Sequence, residues 1–231
     1  MRINGVDIAN FKAKLLDRNI SSADFSINNY WGNSLLPTIS AKYNHTYKML
    51  SLKFDVICSN SNELETMKSN LCKQLEIATI VFDDINKTYI GFCDDVPSYS
   101  YVMPGNEIME ANLLVYCYGE EKSEMLNRLT SKTINVVGNQ ETPCIVEITP
   151  SISLVDLIIT GLADDPIIIK NLTADKKIII NGEDGTVLEN GINKFGDTDL
   201  WEWPRLKAGS NSITVSKNSC DITIKYKPRY I

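Results

Sequence analysis

The sequence has little of what most catalytic and metal sites require. Its 231 residues include one histidine, and none of its six cysteines forms a Cys-x-x-Cys pair. Zinc sites are usually built from such cysteine pairs and from histidines. The histidine, His45, lies in the polar stretch Asn-His-Thr, with no Gly-x-Ser-x-Gly or catalytic-cysteine motif nearby. We therefore expect no catalytic residue, no metal and no cofactor, and the chain is not predicted to be an enzyme.

Long apolar runs are also absent. No run approaches the roughly 20 residues that cross a bilayer, and the N-terminal segment Met-Arg-Ile-Asn-Gly-Val-Asp lacks the apolar core of a signal peptide. The cysteines are spaced widely and irregularly, at positions 58, 72, 93, 117, 144 and 220. This spacing favours free thiols over a disulfide framework. These features predict a soluble protein that folds in a cytoplasm and has no membrane partner.

Positive charge is scarce as well. The chain has 23 Lys and Arg against 29 Asp and Glu, a net charge of −6, and no basic stripe of the kind that binds nucleic acid. Three pairs of adjacent aspartates, at 83–84, 94–95 and 164–165, could suggest glycoside hydrolysis or metal binding. Adjacent side chains in a turn point in different directions, so solvated turns are the preferred interpretation.

What the first half does contain is long alternating strands and one helix. Residues 47–58 place Leu, Leu, Phe, Val and Cys on one face, and residues 109–117 alternate in the same way. Between them, apolar residues at helical spacing predict an amphipathic helix at about 62–75, which Asn62 and Glu65 could begin with a capping box. Strands are also predicted at 78–82 and 87–93. The pattern indicates an α+β unit that ends near Gly119.

The second half has a different rhythm. After a charged and polar stretch, short apolar runs recur every 8 to 12 residues between turn signals such as Asn181-Gly182 and Asp184-Gly185. This rhythm predicts a β-sandwich or jelly roll. The fold class expected for the whole chain is therefore mostly β (α+β). The predicted domains are 1–123, a linker at 124–132, and 133–231.

The last 32 residues are the most specific part of the sequence. Residues 203–215 fit the pattern Trp-Pro-x-Leu-x-x-Gly-x-Asn-x-Ile-x-Val, and the chain then ends in Tyr-Lys-Pro-Arg-Tyr-Ile. The alternation around the turn at 217–219 predicts a closing β-hairpin. Pro228 ends the pairing because proline has no N–H to donate.

This ending resembles the distal tail proteins of long-tailed, siphovirus-type bacteriophages and of related tail-like particles. The order of elements, the linker and the chain length are also similar to that family. The resemblance implies an N-terminal β-sheet domain with one packed helix and a C-terminal galectin-like β-sandwich. It implies a structural baseplate hub in which six copies form a ring around a central channel.

The partners implied by the resemblance are other proteins of the particle. They are further copies of the chain, the tail tube protein, the tail hub or tail-associated lysin protein, and receptor-binding or baseplate proteins. The genome would only pass through the channel, and a mildly acidic ring would avoid gripping its phosphates. The expected location is the tail of a virion or of a tail-like bacteriocin, assembled in the bacterial host cytoplasm.

Two sets of residues are candidates for contacts. The second faces of the two long strands are partly apolar, which could serve a neighbouring subunit or a second layer of the same domain; the residues are Met49, Ile57, Leu114, Tyr116 and Tyr118. Trp201 and Trp203 would share a face if their segment is extended, and flat aromatic rings stack on sugars. Packing is the preferred interpretation for Trp203. The alternative function is a carbohydrate-binding adhesion module, in which the C-terminal sandwich and Trp201 would contact a cell-wall glycan.

Overall fold

The computed structural model describes the backbone of residues 1–26, 29–30, 38–39 and 44–231, and the side chains of residues 1–23 and 47–231. The chain divides into two compact units, Met1–Tyr118 and Gly119–Tyr230. The boundary lies close to the predicted end of the first domain. Whether the units correspond to the domains predicted at 1–123 and 133–231 stays a prediction.

The first unit is built from antiparallel strands and one α-helix. Its strands are β1 Arg2–Ile3, β2 Val6–Asp7, β3 Ala13–Ser26, β4 Asn29–Tyr30, β5 Thr38–Ile39, β6 Asn44–Ile57, β7 Ile77–Val81, β8 Thr88–Cys93, β9 Ser98–Met103 and β10 Asn106–Tyr118. The helix α1 spans Ser61–Leu75, and a 3₁₀ turn spans Ile8–Phe11. His45 therefore lies within a strand, and its side chain is outside the described residues.

The main sheet of this unit has the strand order β2-β1-β7-β8-β10-β6-β3, with β9 paired to the first part of β10. Its inner face carries fully buried side chains such as Leu50, Phe54 and Leu113. Helix α1 contributes Leu64, Leu71 and Leu75 to the same buried layer. The alternation along β6 and β10 thus arises because one face of each strand packs in the core and the other does not.

The N-cap residue of the helix lies two positions before the predicted one. Asn60 Oδ1 accepts a hydrogen bond from the Glu63 backbone N–H at 2.9 Å, and Glu63 Oε2 accepts one from the Ser59 N–H at 2.9 Å. This is a capping-box type of exchange. The predicted pair, Asn62 and Glu65, was wrong because both residues already lie inside the helix.

The second unit contains thirteen short strands. They are β11 Lys122–Met125, β12 Ser131–Val136, β13 Thr142–Pro150, β14 Leu154–Thr160, β15 Ile167–Leu172, β16 Ile178–Asn181, β17 Thr186–Glu189, β18 Ile192–Asn193, β19 Thr198–Asp199, β20 Arg205–Leu206, β21 Gly209–Val215, β22 Cys220–Tyr226 and β23 Arg229–Tyr230. One sheet has the order β11-β22-β13-β16-β17-β18, with β20 paired to β13, and the other has the order β12-β21-β14-β15-β19. The closing β-hairpin predicted from the sequence was wrong, because β21 and β22 lie in different sheets: β21 pairs with β12 and β14, and β22 pairs with β11 and β13. Two alternating strands around a short turn can cross from one sheet of a sandwich to the other as well as pair within one sheet.

The two sheets enclose a single hydrophobic core. Residues from one sheet, such as Val146 and Ile222, and residues from the other, such as Leu157 and Ile213, belong to one buried cluster. This arrangement is a β-sandwich, as the spacing of the short apolar runs predicted. The predicted fold class, mostly β with one packed helix followed by a β-sandwich, is confirmed.

The stretch predicted as a linker, 124–132, is part of this sandwich. Strand β11 pairs with β22, so that Glu124 lies opposite Ile224. Leu126 is fully buried, and strand β12 begins at Ser131. The stretch is mostly charged and polar because β11 and β12 are edge strands, most of whose exposed side chains are polar. Whether it also acts as a linker stays a prediction.

Candidate assembly surfaces

The outer face of the first unit's sheet, the face opposite α1, carries an apolar row. The strand register places Met49 of β6 beside Leu114 of β10, Leu114 beside Phe92 of β8, and Phe92 beside Ile77 of β7. Strands lie about 4.8 Å apart, so these four side chains span roughly 15 Å across the sheet. We call Met49, Leu114, Phe92 and Ile77 the apolar row.

The row is exposed to a degree that is unusual for such large side chains. Met49 is 45% exposed, Phe92 39% and Ile77 78%. Beside the row, Tyr47 contacts Phe92 and Tyr116, with ring centroids 5.5 Å and 4.5 Å apart. The Tyr116 and Tyr118 rings lie 6.4 Å apart. The result is a contiguous apolar and aromatic patch at one end of the outer face, and such patches often mark protein–protein contacts.

The middle of the same outer face is polar. Ser51 Oγ donates to Asn112 Oδ1 at 2.7 Å, and Lys53 Nζ lies 2.7 Å from Glu110 Oε1. The Glu110 carboxylate raises the pKa of Lys53 above its usual value, chiefly through this hydrogen bond. Charged and polar pairs thus cover the centre of the face, and the apolar surface is confined to its ends.

Of the five interface candidates taken from the sequence, the structure brings four together. Met49, Leu114, Tyr116 and Tyr118 lie in or beside the apolar row. Ile57, 55% exposed, lies at the far end of β6, eight residues from Met49 and therefore about 27 Å away. Whether any of these residues contacts another subunit stays a prediction.

Three residues of the patch were missed by sequence reasoning: Tyr47, Ile77 and Phe92. The sequence predicts β7 and β8, but both strands are short, and the prediction does not say which of their residues point inward and which point outward. The alternation along these strands is a signal that could have found the outward residues, because Ala78, Ile80 and Tyr89 are buried on the inner face. What the sequence does not contain is the cross-strand register that joins Ile77 to Phe92 and Phe92 to Leu114.

The two tryptophans of the second unit are in different environments. Trp201 is 84% exposed, whereas Trp203 is half-buried and packs against the core cluster. Their segment bends at residues 201–202, so the extended conformation in which the two rings would share a face is not present. Whether either ring contacts a sugar stays a prediction. Trp203 also contacts Phe195, with ring centroids 5.9 Å apart, and lines a surface cavity of about 490 Å³.

Three of the six adjacent aspartates form ion pairs within the protein. Asp83 accepts a 2.6 Å contact from the N-terminal amine, and Asp84 forms a two-point ion pair with Arg18, which holds the pKa of Asp84 below its usual value. Asp164 lies 3.1 Å from both Arg205 and Lys207. Within the described residues, no group of three or more His, Cys, Asp or Glu side chains is positioned to hold a metal ion.

The six cysteines are all unpaired. Burial raises the pKa of the Cys144 thiol to about 12, so this side chain behaves as a small apolar group of the sandwich core.

Over the part of the chain that the structure describes, no helix is both long and apolar enough to cross a bilayer.

The greater part of the sandwich matches a known family. Residues 137–230 match the family model described as "Siphovirus-type tail component, C-terminal domain". The matched residues all lie within the second unit. The resemblance to phage distal tail proteins that the sequence predicted is thereby confirmed, and the tail-component domain makes up most of the Gly119–Tyr230 unit.

Solved structures show that the likeness in fold extends over both units. The Dit protein of phage SPP1, described as a paradigm of the hub adsorption apparatus in phages that infect Gram-positive hosts, is similar over 99% of this chain and 98% of its own. Its TM-score is 0.79 at 13% sequence identity. A chain of the phage P2 baseplate in its activated conformation with Ca is similar over 97% and 94% of the two chains, with a TM-score of 0.54 and 13% identity. No curated protein sequence matches the tail-component chain.

Family and fold together support a structural role for this chain in a distal tail, as a component of a virion tail or a tail-like particle.

Proposed function

We propose that this chain is a structural distal tail protein, six copies of which form a ring with a central channel. The ring would join the tail tube to the host-attachment apparatus at the tail tip. The observation that carries the proposal is the apolar patch on the first unit, in a chain whose residues 137–230 match the siphovirus-type tail component family. A sheet that is helix-covered on one face and apolar at one end of the other face has surface to bury against another protein.

The proposed division of labour follows the two units. Residues 1–123 would form the ring, and the galectin-like sandwich at 133–231 would hold receptor-binding or baseplate proteins. The two sides of the ring would contact the tail tube protein and the tail hub or tail-associated lysin protein. The proposal is supported by the solved structures that share this fold, which are described as a hub adsorption apparatus protein and a phage baseplate.

The net charge of −6 suits the passage of a genome through the channel. Phosphate groups are attracted to Lys and Arg clusters, and a DNA molecule held by such clusters would not slide freely. The chain would assemble in the bacterial host cytoplasm, without a cofactor and without catalysing a reaction.

The mass of the purified chain tests the ring. Native mass spectrometry at low micromolar concentration, together with light scattering, should give a species of six chains, and negative-stain images should show a ring with a central hole. A strictly monomeric chain that also fails to associate with tail tube or baseplate proteins would contradict the proposal.

A carbohydrate-binding module is a second candidate because of the cavity beside Trp203. Trp203 and Phe195 provide aromatic surface, while Thr186 and Asn193 provide polar groups on the same lining. Gly185, with φ +72°, lies under the indole, and a Cβ at this position would lie 3.3 Å from Trp203 Cε2. The cavity is within the range of small-ligand sites.

Calorimetry with soluble cell-wall glycans separates the two candidates. A binding module predicts glycan binding that is lost in Phe195→Ala, which opens one wall of the cavity, and kept in the control Trp201→Ala, which changes a side chain outside it. A hexamer that binds no glycan supports the hub function alone.

A further inference from the structure

Strand β9 is an open edge of the first unit's sheet. Among the described residues it forms a ladder only with β10, and all six of its residues, Ser-Tyr-Ser-Tyr-Val-Met, are exposed. Tyr101 is 70% exposed, Val102 46% and Met103 56%. Just before the strand, Val96 is 92% exposed. An exposed edge of this composition is a template for contact with another chain.

The absence of charge distinguishes β9 from the other edges. Of the described edge strands longer than two residues, β3 carries Lys14, Asp17 and Arg18, and its pairing with β6 contains three register shifts. The remaining two are β11, Lys-Ser-Glu-Met, and β12, which contains Lys132. Charges and bulges are the usual protection against unwanted strand pairing. Only β9 lacks a charged side chain, and a soluble protein tolerates such an edge when it is covered in the assembled state.

The edge is also held in place by its neighbours. The ammonium group of Lys68 lies 4.4 Å from the centre of the Tyr99 ring, and it bonds Glu65 and Glu107 at 2.7 Å and 2.6 Å. The turn after the strand contains Gly105, with φ +81°, where a Cβ would lie 2.6 Å from the Cys58 carbonyl oxygen. A strand fixed at both ends loses little conformational entropy on binding.

We propose that the β9 edge of one copy of this chain docks on the apolar row of the next copy. The inference rests on the proposed ring, and it names the two surfaces that would join its subunits. A cyclic contact that repeats beyond a dimer is heterologous, so that each subunit must present two different surfaces. Among its described residues, the first unit presents the β9 edge, which pairs with the start of β10, and the apolar row, which crosses β10 at Leu114.

The two surfaces are separate enough to bind different neighbours. Ser100 of β9 lies opposite Ile108, six residues and about 20 Å along β10 from Leu114. Between them lie Glu110 and Asn112, which are held by Lys53 and Ser51. A row-to-row contact would be isologous and would stop at a dimer, whereas an edge-to-row contact leaves one surface of each kind free for the next copy.

Two single variants and their mixture test this contact. Val102→Lys places a charge on the edge, and Ile77→Lys places one on the row; both side chains are exposed, so the fold should be kept, as circular dichroism and thermal unfolding will verify. Each variant alone should be monomeric by native mass spectrometry. The equimolar mixture should give a heterodimer, because one edge and one row remain intact and can pair only once.

The control is Val155→Lys, which charges an equally exposed apolar residue of the second unit and should leave the hexamer unchanged. Tyr101→Asp and Phe92→Lys provide a second pair if either variant fails to fold. A wild-type hexamer whose edge and row variants stay hexameric, or whose monomeric variants give no heterodimer on mixing, overturns the edge-to-row contact and leaves the ring standing. A monomeric wild-type chain overturns both.

Discussion

In the second unit, two sheets turn their apolar faces toward each other, and side chains such as Ile148 and Ile222 are enclosed on both sides. In the first unit, one main sheet has α1 on its inner face, and its outer face exposes Met49 and Ile77. The number of strands is similar, but the second unit completes its core within itself. The comparison teaches that the surface a fold leaves uncovered, and not its content of β-structure, indicates where a partner binds.

The outer faces differ in the same sense. In the second unit, Glu147 lies between Lys177 and Lys225, at 2.6 Å and 2.8 Å, on the outside of its sheet. In the first unit, comparable ion pairs cover only the centre of the face, where Lys53 meets Glu110. Ion pairs and hydrogen bonds between side chains allow the outer face of a sheet to be exposed to water. The apolar row of the first unit is an exception to this pattern.

The largest effect that would test this contrast is expected from two adjacent residues of β10. Leu113 is fully buried on the inner face, and Leu114 belongs to the apolar row. Leu113→Asp buries an unpaired carboxylate, whose cost of several kcal/mol is comparable to the whole stability of a domain. We expect the first unit to be unfolded at 25 °C by circular dichroism.

The matched variant Leu114→Asp should keep the wild-type spectrum and melting temperature within a few degrees, and it should lose self-association. If both variants unfold equally, the outer face is a second core layer and not an assembly surface. That outcome would favour the alternative interpretation of these strands, a layer internal to the same domain.

An effect of intermediate size is expected from two lysines. Among the described side chains, each unit contains one lysine that is almost fully buried. Lys68 bonds Glu107 and Glu65 in the first unit, and Lys194 bonds Asp197 and the Asn171 carbonyl in the second. Lys68→Ala leaves the mostly buried carboxylate of Glu107 without its partner, which should cost about 3 kcal/mol of unfolding free energy.

Urea unfolding measures this change, and Lys194→Ala should destabilise the other unit to a similar extent. Lys73→Ala is the control, because Lys73 pairs with Glu76 on the exposed side of α1, where an ion pair contributes little. Equal losses of unfolding free energy in Lys68→Ala and Lys73→Ala would show that burial does not determine how much these ion pairs contribute to stability.

The smallest effect is expected from the pH dependence of the second unit. Burial alone would raise the pKa of Glu147, but the hydrogen bonds from Lys177 and Lys225 outweigh it and hold this pKa below its usual value of 4.5. The stabilisation is therefore present above pH 4.5 and is lost as the pH falls through the folded-state pKa. Glu147→Gln should flatten this acid limb in urea titrations between pH 7 and pH 3, whereas Asp165→Asn, in an exposed turn, should not.

Much of the fold could be predicted because its buried strands carry their own signal. The alternation of β6, β10, β21 and β22 is visible in the sequence, since one face of each strand is enclosed. The pairing of β21 with β22 that this alternation suggested was wrong, because the two strands lie in different sheets. Strands β9 and β11 were missed because an edge strand with no enclosed side chain shows no apolar period.

The candidate surface was predictable in part for a different reason. Met49 and Leu114 could be assigned to an outer face from the alternation of their own strands. Their contact, and the extension of the row to Phe92 and Ile77, depends on the register between strands that are distant in sequence. Register is set by the whole sheet, so local patterns do not reveal which outward residues meet.

The positions of β21 and β22 have a consequence for the order in which the chain acquires structure during synthesis. In the second unit, β22 lies between β11 and β13, and β21 lies between β12 and β14. Both sheets thus wait for residues 209–226, while the first unit's main sheet has all its long strands by Tyr118. A ribosome adds about 5–20 residues per second, so the main sheet of the first unit would have all its long strands several seconds before the sandwich can close.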